Sequence, residues 1–309
     1  MRYDTNDLIR AIKRTAIIPT NQRTFDDLAF IEIANFELLT TVVPIIQSAV
    51  EDYFVDFVDF TLTSANNTLT IPNEATGFRI KQVYYITGIG GDLLEPVPRI
   101  SIDYISGWPN HSAVSGFYLE NDEIKFYPKV TSTRYIRVYF YRKPNDLVEV
   151  SSGGTVIDID TLSNTITLDT VPVSWDASTV VDIIKSAPPF KLRHEDAVVQ
   201  ARAGADLTLL PADMEGIELG DLVYLANEAC VAQYIPIEAW FLLVQAAKTK
   251  CLEALQDKSG FEASMLRFNE MKSRMLDIIS PRVVSATKRV VNTSSIINAA
   301  KSRRKGFWR

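Results

Sequence analysis

The sequence is poor in the residues from which metal and redox sites are built. It contains only two cysteines, Cys230 and Cys251, and two histidines, His111 and His194. The cysteines lack the close spacing of a zinc or redox pair, so we interpret both as small buried hydrophobes in a reducing compartment. Both histidines lie in loop-like sequence without a partner at a useful spacing, which favours surface positions. The pattern predicts no catalytic residue, no metal site and no cofactor.

Long apolar runs are also lacking. No apolar run reaches about 18 residues, so we predict no membrane-spanning segment. The opening residues MRYDTNDLIRAIKR contain no apolar stretch of the kind found in signal peptides. With 309 residues, 47% of them hydrophobic and 23% charged, the composition is that of an ordinary soluble globular chain with one extended or two to three compact domains.

Two short patterns resemble functional sites only superficially. Residues 88–91 (GIGG) follow a predicted strand, but a dinucleotide-binding loop needs a third glycine at the position of Leu93 and a helix after it, so we interpret them as a turn. Residues 51–60 (EDYFVDFVDF) contain four carboxylates that could suggest a cation site. Their alternation with apolar residues favours a half-buried strand with a solvated face.

Helical periodicity is confined to the two ends of the chain. Residues 5–15 predict a short helix, and residues 24–43 predict a longer one with a broad apolar face that includes Leu28 and Leu39. We expect Thr24 to be the N-cap of the longer helix. Pro44 is expected to kink or end it and to stand in the first turn of a second short helix.

Asn35 is the one polar member of the apolar stripe of this longer helix. One interpretation is a half-exposed interior amide that hydrogen-bonds a neighbour. The other is a residue that fixes the register between packed helices.

The helical pattern returns near Pro236, which suits a first turn, and an apolar stripe that includes Trp240 follows. Ser259 and Glu262 have the Ser-x-x-Glu spacing of a capping box and predict a final helix that stops at Pro281. Two helices at each end predict an α+β fold. The N- and C-terminal helices would form one bundle, with a large antiparallel β insertion and an extended C-terminal arm.

The middle of the chain has the period of β-strands. One phrase recurs there: a short alternating strand closed by proline, a loop, and a strongly apolar strand, with copies that start at Leu69, Ile124, Ile166 and Leu207. Each copy is predicted to be an antiparallel unit with a defined edge. Internal duplication is one explanation of the recurrence, and the general frequency of such patterns is the other.

Charge is segregated along the chain. Residues 281–309 contain eight Lys and Arg and no Asp or Glu, so of the formal net charge of −6 the first 280 residues carry −14. Such segregation indicates that the basic arm has a partner. The terminal Phe307 and Trp308 favour a docking arm over a solubilising tail, because aromatics are depleted in disordered segments and enriched at interfaces. The predicted parts are residues 1–52 (helices), 53–234 (β region), 235–280 (helices) and 281–309 (arm).

An ordered set of motifs resembles the head-to-tail connector, or adaptor ring, proteins of tailed bacteriophages, short-tailed and crAss-like phages in particular. The motifs are DLIRAIKRTAIIPTNQRTFDD, ANFELLTTVVPII and EDYFV, then SAPPF, IPIEAW, KCLEAL, IISPRV and VVN. The resemblance implies a virion protein at the head–tail junction, assembled in the host cytoplasm. Its helices would form a homo-oligomeric ring beneath the portal protein, typically twelve-fold, with the β region facing the next tail or ring protein. DNA would pass through the ring without specific binding.

These considerations name candidate contact residues. The helices offer more apolar width than a four-helix packing needs, so Phe30, Phe36 and Trp240 are the candidate ring contacts, with Phe30 and Phe36 expected to be exposed. Two other function classes stay open: a glycan- or receptor-binding tail module, and a polysaccharide-degrading enzyme with a pair of carboxylates in a cleft. The candidate portal-binding residues are Arg282, Lys288, Arg289, Lys301, Arg303, Arg304, Lys305, Phe307, Trp308 and Arg309.

Overall fold

The two ends of the described chain are helical and its middle is built of strands. The computed structural model describes residues 2–17, 25–101 and 116–279. This mixture of helices and antiparallel sheets confirms the predicted α+β class. The helices are α1 (Thr5–Ala16), α2 (Asp27–Glu37), α3 (Val43–Ala49), α4 (Ile237–Ala254) and α5 (Lys258–Ile279), with a π-helical segment at Leu38–Val42 and 3-10 turns at Val150–Ser152 and Pro211–Met214.

The strands fall into two sets. The first set is β1 (Val55–Leu62), β2 (Thr68–Thr70), β3 (Ala75–Ile86), β4 (Leu93–Val97), β5 (Gly116–Glu120), β6 (Glu123–Tyr127), β7 (Arg134–Arg142) and β8 (Asp146–Leu147). The second set is β9 (Gly154–Asp160), β10 (Thr165–Leu168), β11 (Val180–Ile184), β12 (Leu192–Val198), β13 (Ala201–Ala203), β14 (Asp206–Thr208), β15 (Leu222–Leu225) and β16 (Glu228–Ala229). We call β1–β7 the first β module and β9–β15 the second β module.

The two β modules have the same strand pairing, all of it antiparallel. In the first module β7 pairs with β1 and β3, β3 pairs with β4, and β6 pairs with β2 and β5. In the second module the strands eight positions later pair in the same way: β15 with β9 and β11, β11 with β12, and β14 with β10 and β13. The second module adds a β9–β10 pair, which joins its strands into one seven-stranded sheet.

Equivalent asparagines stand at the same place in both modules. Asn67 precedes β2, and its carbonyl accepts a hydrogen bond from the Phe126 N–H at 3.4 Å. Asn164 precedes β10, and its carbonyl accepts one from the Leu209 N–H at 2.9 Å. The sequences that begin at these asparagines are NTLTI and NTITL. Shared pairing together with shared local sequence favours internal duplication as the reason for the recurring phrase.

The prediction that each recurring phrase is itself an antiparallel unit is wrong. The two strands of a phrase pair with their counterparts in the next phrase instead: β2 with β6 and β3 with β7, then β10 with β14 and β11 with β15. A period of two identifies the faces of a strand. It does not identify the strand's partner, because pairing depends on neighbours that are distant in sequence.

The chain segments that follow the two β modules lie side by side. The short strands β8 and β16 pair in parallel, with Leu147 opposite Ala229. Just before them, the Asn145 side-chain amide and the Asn227 N–H both donate to the buried carboxylate of Asp182, at 2.6 and 3.0 Å. Burial raises the pKa of Asp182, while these hydrogen bonds lower it. The carboxylate thus joins the ends of both modules.

Helices from both ends of the chain share one hydrophobic cluster with α4. Helix α4 contacts α1, α2 and α5. Leu243, Ala247 and Cys251 are fully buried, and Trp240 is 3% exposed. Because α4 carries apolar side chains on more than one face, it needs cover on several sides.

Both predicted helix caps lie two positions away from the observed ones. Asp26 caps α2 and accepts a hydrogen bond from the Ala29 N–H at 2.8 Å, while the predicted cap Thr24 lies outside the described residues. Asp257 takes the place predicted for Ser259 at the start of α5 and accepts from a first-turn N–H at 3.0 Å. In both helices a carboxylate satisfies the free N–H groups and interacts favourably with the helix dipole.

The prediction that Pro44 stands in the first turn of a second short helix is confirmed. Helix α2 continues into the π-helical segment and then into α3, where Pro44 occupies the first turn. Proline has no N–H to donate to the preceding turn, and a π-helical turn changes the hydrogen-bond spacing at that place.

The continuous helical stretch Asp27–Ala49 bears on the prediction that nothing spans a membrane. It is 23 residues long and contains an 18-residue window with a mean hydropathy of 1.6, which is enough by length and composition to cross a membrane. The prediction that nothing spans a membrane stays a prediction, because the core helix of a soluble protein can have the same length and composition. Half of the apolar window is buried inside the fold, where Ile31, Ala34 and Leu38 belong to the helical cluster. We therefore interpret the stretch as a core helix.

Asn35 fastens α2 to the end of the first β module. Its side-chain amide donates to the Leu147 carbonyl at 2.9 Å, and its carbonyl oxygen accepts from the Leu147 N–H at 2.7 Å. The side chain is half-buried, and Leu147 is buried in the helical cluster. The interpretation as an interior amide that bonds a neighbour is confirmed, although that neighbour is a strand 112 positions away.

Replacing Asn35 with alanine should destabilise the protein. Both backbone groups of Leu147 would lose their partner, at a cost of about 1–3 kcal/mol in the free energy of unfolding. The midpoint of urea unfolding measures this loss. The matched control is Asn66→Ala, the same change at an exposed loop position, which should alter stability by less than about 0.5 kcal/mol. Equal midpoints for the two variants would show that the Asn35 bonds contribute nothing.

Candidate interaction surfaces

The predicted portal-binding residues, from Arg282 to Arg309, lie outside the described part of the chain. The three predicted ring contacts lie within it and have different environments. Phe30 is fully buried and Trp240 is 3% exposed, and both belong to the helical cluster. The expectation that Phe30 is exposed is therefore wrong. Phe36 is 56% exposed, so it is the one of the three that a neighbouring molecule can reach directly.

The outer face of α2, as we call Leu28, Glu32, Phe36 and Leu39, is an apolar and acidic strip. These residues are spaced four, four and three apart, which places them on one side of the helix. Leu28 and Leu39, expected on the buried stripe, are 54% and 37% exposed. When apolar residues occur on several sides of a helix, the sequence does not show which side is buried.

The outer face of α2 has the properties of a contact surface. The sequence from residue 25 to residue 50 contains no Lys or Arg, and its acidic residues include the exposed Glu32. Adjacent exposed apolar side chains bordered by polar residues mark places where proteins bind one another. Scattered exposed leucines would carry no such meaning.

The four carboxylates that follow α3 do not converge on a common site. Their partners are Tyr141 for Glu51, Lys81 for Asp52, Arg142 for Asp56 and Arg137 for Asp59. Within residues 2–17, 25–101 and 116–279, no group of three or more His, Cys, Asp or Glu side chains is arranged to hold a metal ion.

The glycine motif and the described histidine have structural roles. The Gly91 N–H donates to the Gly88 carbonyl at 2.8 Å in the connection between β3 and β4, and Gly90 has a φ of 71°. This confirms the predicted turn. The Nε2 atom of His194, on β12, lies 2.6 Å from the Glu215 carbonyl oxygen. His111 lies outside the described residues.

Both cysteines are free and buried, as predicted. Cys251 belongs to the helical cluster, and Cys230 packs in a smaller cluster with Phe190 and Tyr224. Burial raises the pKa of each thiol to about 12. Because the thiolate is the nucleophilic form, neither cysteine is a reactive site at neutral pH.

A row of aromatic side chains crosses the outer face of the first module's four-stranded sheet. The ring centroids of Phe57 on β1 and Tyr139 on β7 are 5.7 Å apart, and those of Tyr139 and Tyr84 on β3 are 5.9 Å apart. Phe57 is 49% exposed. The sequence analysis missed this aromatic row. The alternation along β1 places Phe57 outward, but only the pairing register brings the three rings together.

Arg137 supports one end of the aromatic row. Its guanidinium lies 4.2 Å from the centroid of the Phe57 ring and donates to the Asp59 carboxylate at 2.6 and 2.8 Å. The hydrogen bonds from Arg137 hold the pKa of Asp59 below its ordinary value, although burial acts in the opposite direction. The two side chains pair with each other and are largely buried, so Phe57 is the more accessible part of this surface.

A second arginine joins the two β modules. Arg142, at the end of β7, is 5% exposed and donates to Asp56 at 2.9 Å and to Glu195 on β12 at 3.1 Å. Its guanidinium also lies 5.3 Å from the centroid of the Tyr234 ring. Buried charges need such partners. We therefore assign Arg142 a structural role that no local sequence signal announces.

Comparison with known proteins gives a family match that covers the helical and β parts of the chain. The family model described as SU10 adaptor protein matches residues 6–172, which include α1 to α3, the first β module and the start of the second. No curated protein matches the chain. The family match confirms the resemblance to the head-to-tail connector proteins of tailed phages, and the chain belongs to the SU10 adaptor protein family.

Proposed function

We propose that this phage adaptor protein forms a ring between the portal and the tail, at the head–tail junction of the virion, through which the genome passes. The observation that carries the proposal is the family match over residues 6–172, which identifies a structural phage protein of the adaptor class. A protein that joins two assemblies needs separate surfaces for its own copies and for its partners. We propose that the outer face of α2, the β modules and the basic residues 281–309 supply these surfaces.

The proposed arrangement divides the chain into four parts. Residues 1–52 and 235–280 form the helical bundle that contacts neighbouring copies, and residues 53–234 face the next tail or ring protein. The shared hydrophobic cluster of α1, α2 and α4 supports the bundle. We propose a twelve-fold ring, the number typical of the connectors that the chain resembles, assembled in the host cytoplasm.

Residues 281–309 are proposed to be an extended arm that binds the portal protein. Their eight cations would be attracted to an acidic portal surface, and Phe307 and Trp308 would supply apolar anchors. Ordering such a segment on a partner costs about 2–5 kcal/mol. Several arms held in one ring would bind together at high effective concentration, which offsets this cost.

Deletion of residues 281–309 should abolish portal binding and leave the body folded, because the hydrophobic clusters of the described chain lie within residues 2–279. Circular dichroism checks the fold, and co-sedimentation with purified portal measures binding. Trp308→Ala alone should weaken attachment. A control that replaces the arm with Gly/Ser sequence of equal length separates lost contacts from lost length. Portal binding that survives the deletion would assign the joint to the helical body.

The body without its arm should not bind DNA measurably at physiological salt. It carries a formal charge of −14, and like charge keeps a duplex from adhering to the channel through which it moves. Filter binding of the full chain and of the truncated chain measures this. Salt-sensitive binding by the full chain alone would assign DNA contact to the arm. Strong, salt-sensitive binding by the truncated body would contradict a non-adhesive channel.

The aromatic row favours a second candidate function, a glycan- or receptor-binding module, because neighbouring rings on one sheet face, among them the exposed Phe57, suit the apolar faces of sugars. The ring proposal predicts that the isolated protein binds no glycan on an array. Binding that falls tenfold or more in Phe57→Ala, and persists in Tyr53→Ala, would support the second candidate instead. Tyr53 is the matched control because it is 36% exposed and lies outside the aromatic row.

A further inference from the structure

A groove lies on the helical surface between α1, α4 and α5. It encloses about 680 Å³ and is lined by side chains of all three helices. Its apolar part includes Val244, Met271 and Phe241, and Phe241 is 45% exposed. An exposed aromatic beside other apolar side chains is suited to receive an apolar residue of a partner.

The rim of this groove carries positive charge that the described chain does not neutralise. Arg10 pairs with Asp7 on the same helix. Arg14, Lys248 and Arg267 also line the groove. Within residues 2–17, 25–101 and 116–279, these three cations have no ion-pair partner and no side-chain hydrogen bond. Burial and the neighbouring charge of Arg267 lower the pKa of Lys248, so an acidic partner would relieve an existing repulsion.

We infer that this groove receives the outer face of α2 from a second copy of the chain. The outer face of α2 offers Leu28, Phe36 and Leu39 for the apolar part and Glu32 for the cationic rim. The two surfaces match in charge, because residues 25–50 contain no cation and the rim is cationic. This inference rests on the proposed ring and specifies its contact.

Two other occupants fit the groove less well. The arm of residues 281–309 carries eight cations and no acidic residue, so the rim would repel it. A nucleic-acid phosphate would pair with the rim but would leave Phe241 and its apolar neighbours uncovered. An acidic and apolar helical face satisfies both parts of the groove at once.

The contact joins two different surfaces, so it is of the head-to-tail kind. Each copy has one α2 outer face and one groove. When every copy binds a neighbour through each of them, both surfaces are covered in all copies except those at the ends of an open chain. Repeated contacts of this kind close into a ring when the rotation between copies permits and otherwise extend into a filament. Closure would remove the exposed Phe36 and Phe241 from water in every copy.

Charge reversal on each side tests the inference in the full-length protein. Glu32→Arg on the face and Lys248→Glu in the groove should each raise the concentration needed for assembly at least tenfold, measured by sedimentation velocity. The double variant should assemble better than either single variant, because the reversed charges again attract each other. Phe36→Asp should also prevent assembly, with an unchanged circular dichroism spectrum because Phe36 is 56% exposed.

The matched control is Glu215→Arg, the same charge change at an exposed residue of the second β module, which should assemble like the unmodified chain. Unimpaired assembly of both single variants would overturn the groove contact while leaving the proposed ring intact. Loss of assembly without recovery in the double variant would overturn the pairing of face and groove. An unmodified chain that stays monomeric, alone and with portal, would instead overturn the proposed function.

Discussion

The apolar surface of α4 is the constraint on which the rest of the structure depends. Its buried side chains, from Trp240 to Cys251, need cover on several sides, and α1 and α2 supply it from the opposite end of the chain. The β modules are consequently inserted between the two halves of one helical cluster. Their exits are tied by the β8–β16 pair and by the hydrogen bonds between Asn35 and Leu147. The outer face of α2 and the two β modules are thereby held on one framework.

The local spacing of apolar residues predicted where helices and strands occur. It did not predict which strands pair or which side chains of α2 are buried, because contacts between residues distant in sequence determine both. The end helices, the β middle, the Pro44 break and the buried cysteines follow from residue type and spacing, because burial imposes periods of 3.6 and two. The inward side of α2 could not be predicted, since apolar residues occur on more than one of its sides. Phe30 and Phe36 were both expected to be exposed, and Phe30 is buried while Phe36 is exposed. The aromatic row and the Arg142 contacts depend on strand pairing across long separations, which no local pattern encodes.

The repeated pairing of the two β modules extends beyond the matched family region. The family match ends at residue 172, while the second module continues to β15. The modules differ where β9 pairs with β10 and their counterparts β1 and β2 do not pair. On the edge strand β1, two carboxylates instead pair with arginines: Asp59 with Arg137 and Asp56 with Arg142. Charged side chains of this kind discourage further strand addition. The two modules therefore share most of their strand pairing but differ in the strand edges that they expose.

The central claim is that copies of this chain associate into a closed ring that binds the portal. The most direct test is the molar mass of the purified full-length protein, free and mixed with portal, by native mass spectrometry. The account predicts one species at a fixed whole-number multiple of 34.7 kDa that joins the portal in constant stoichiometry. A species of 34.7 kDa that persists in the presence of portal would contradict it.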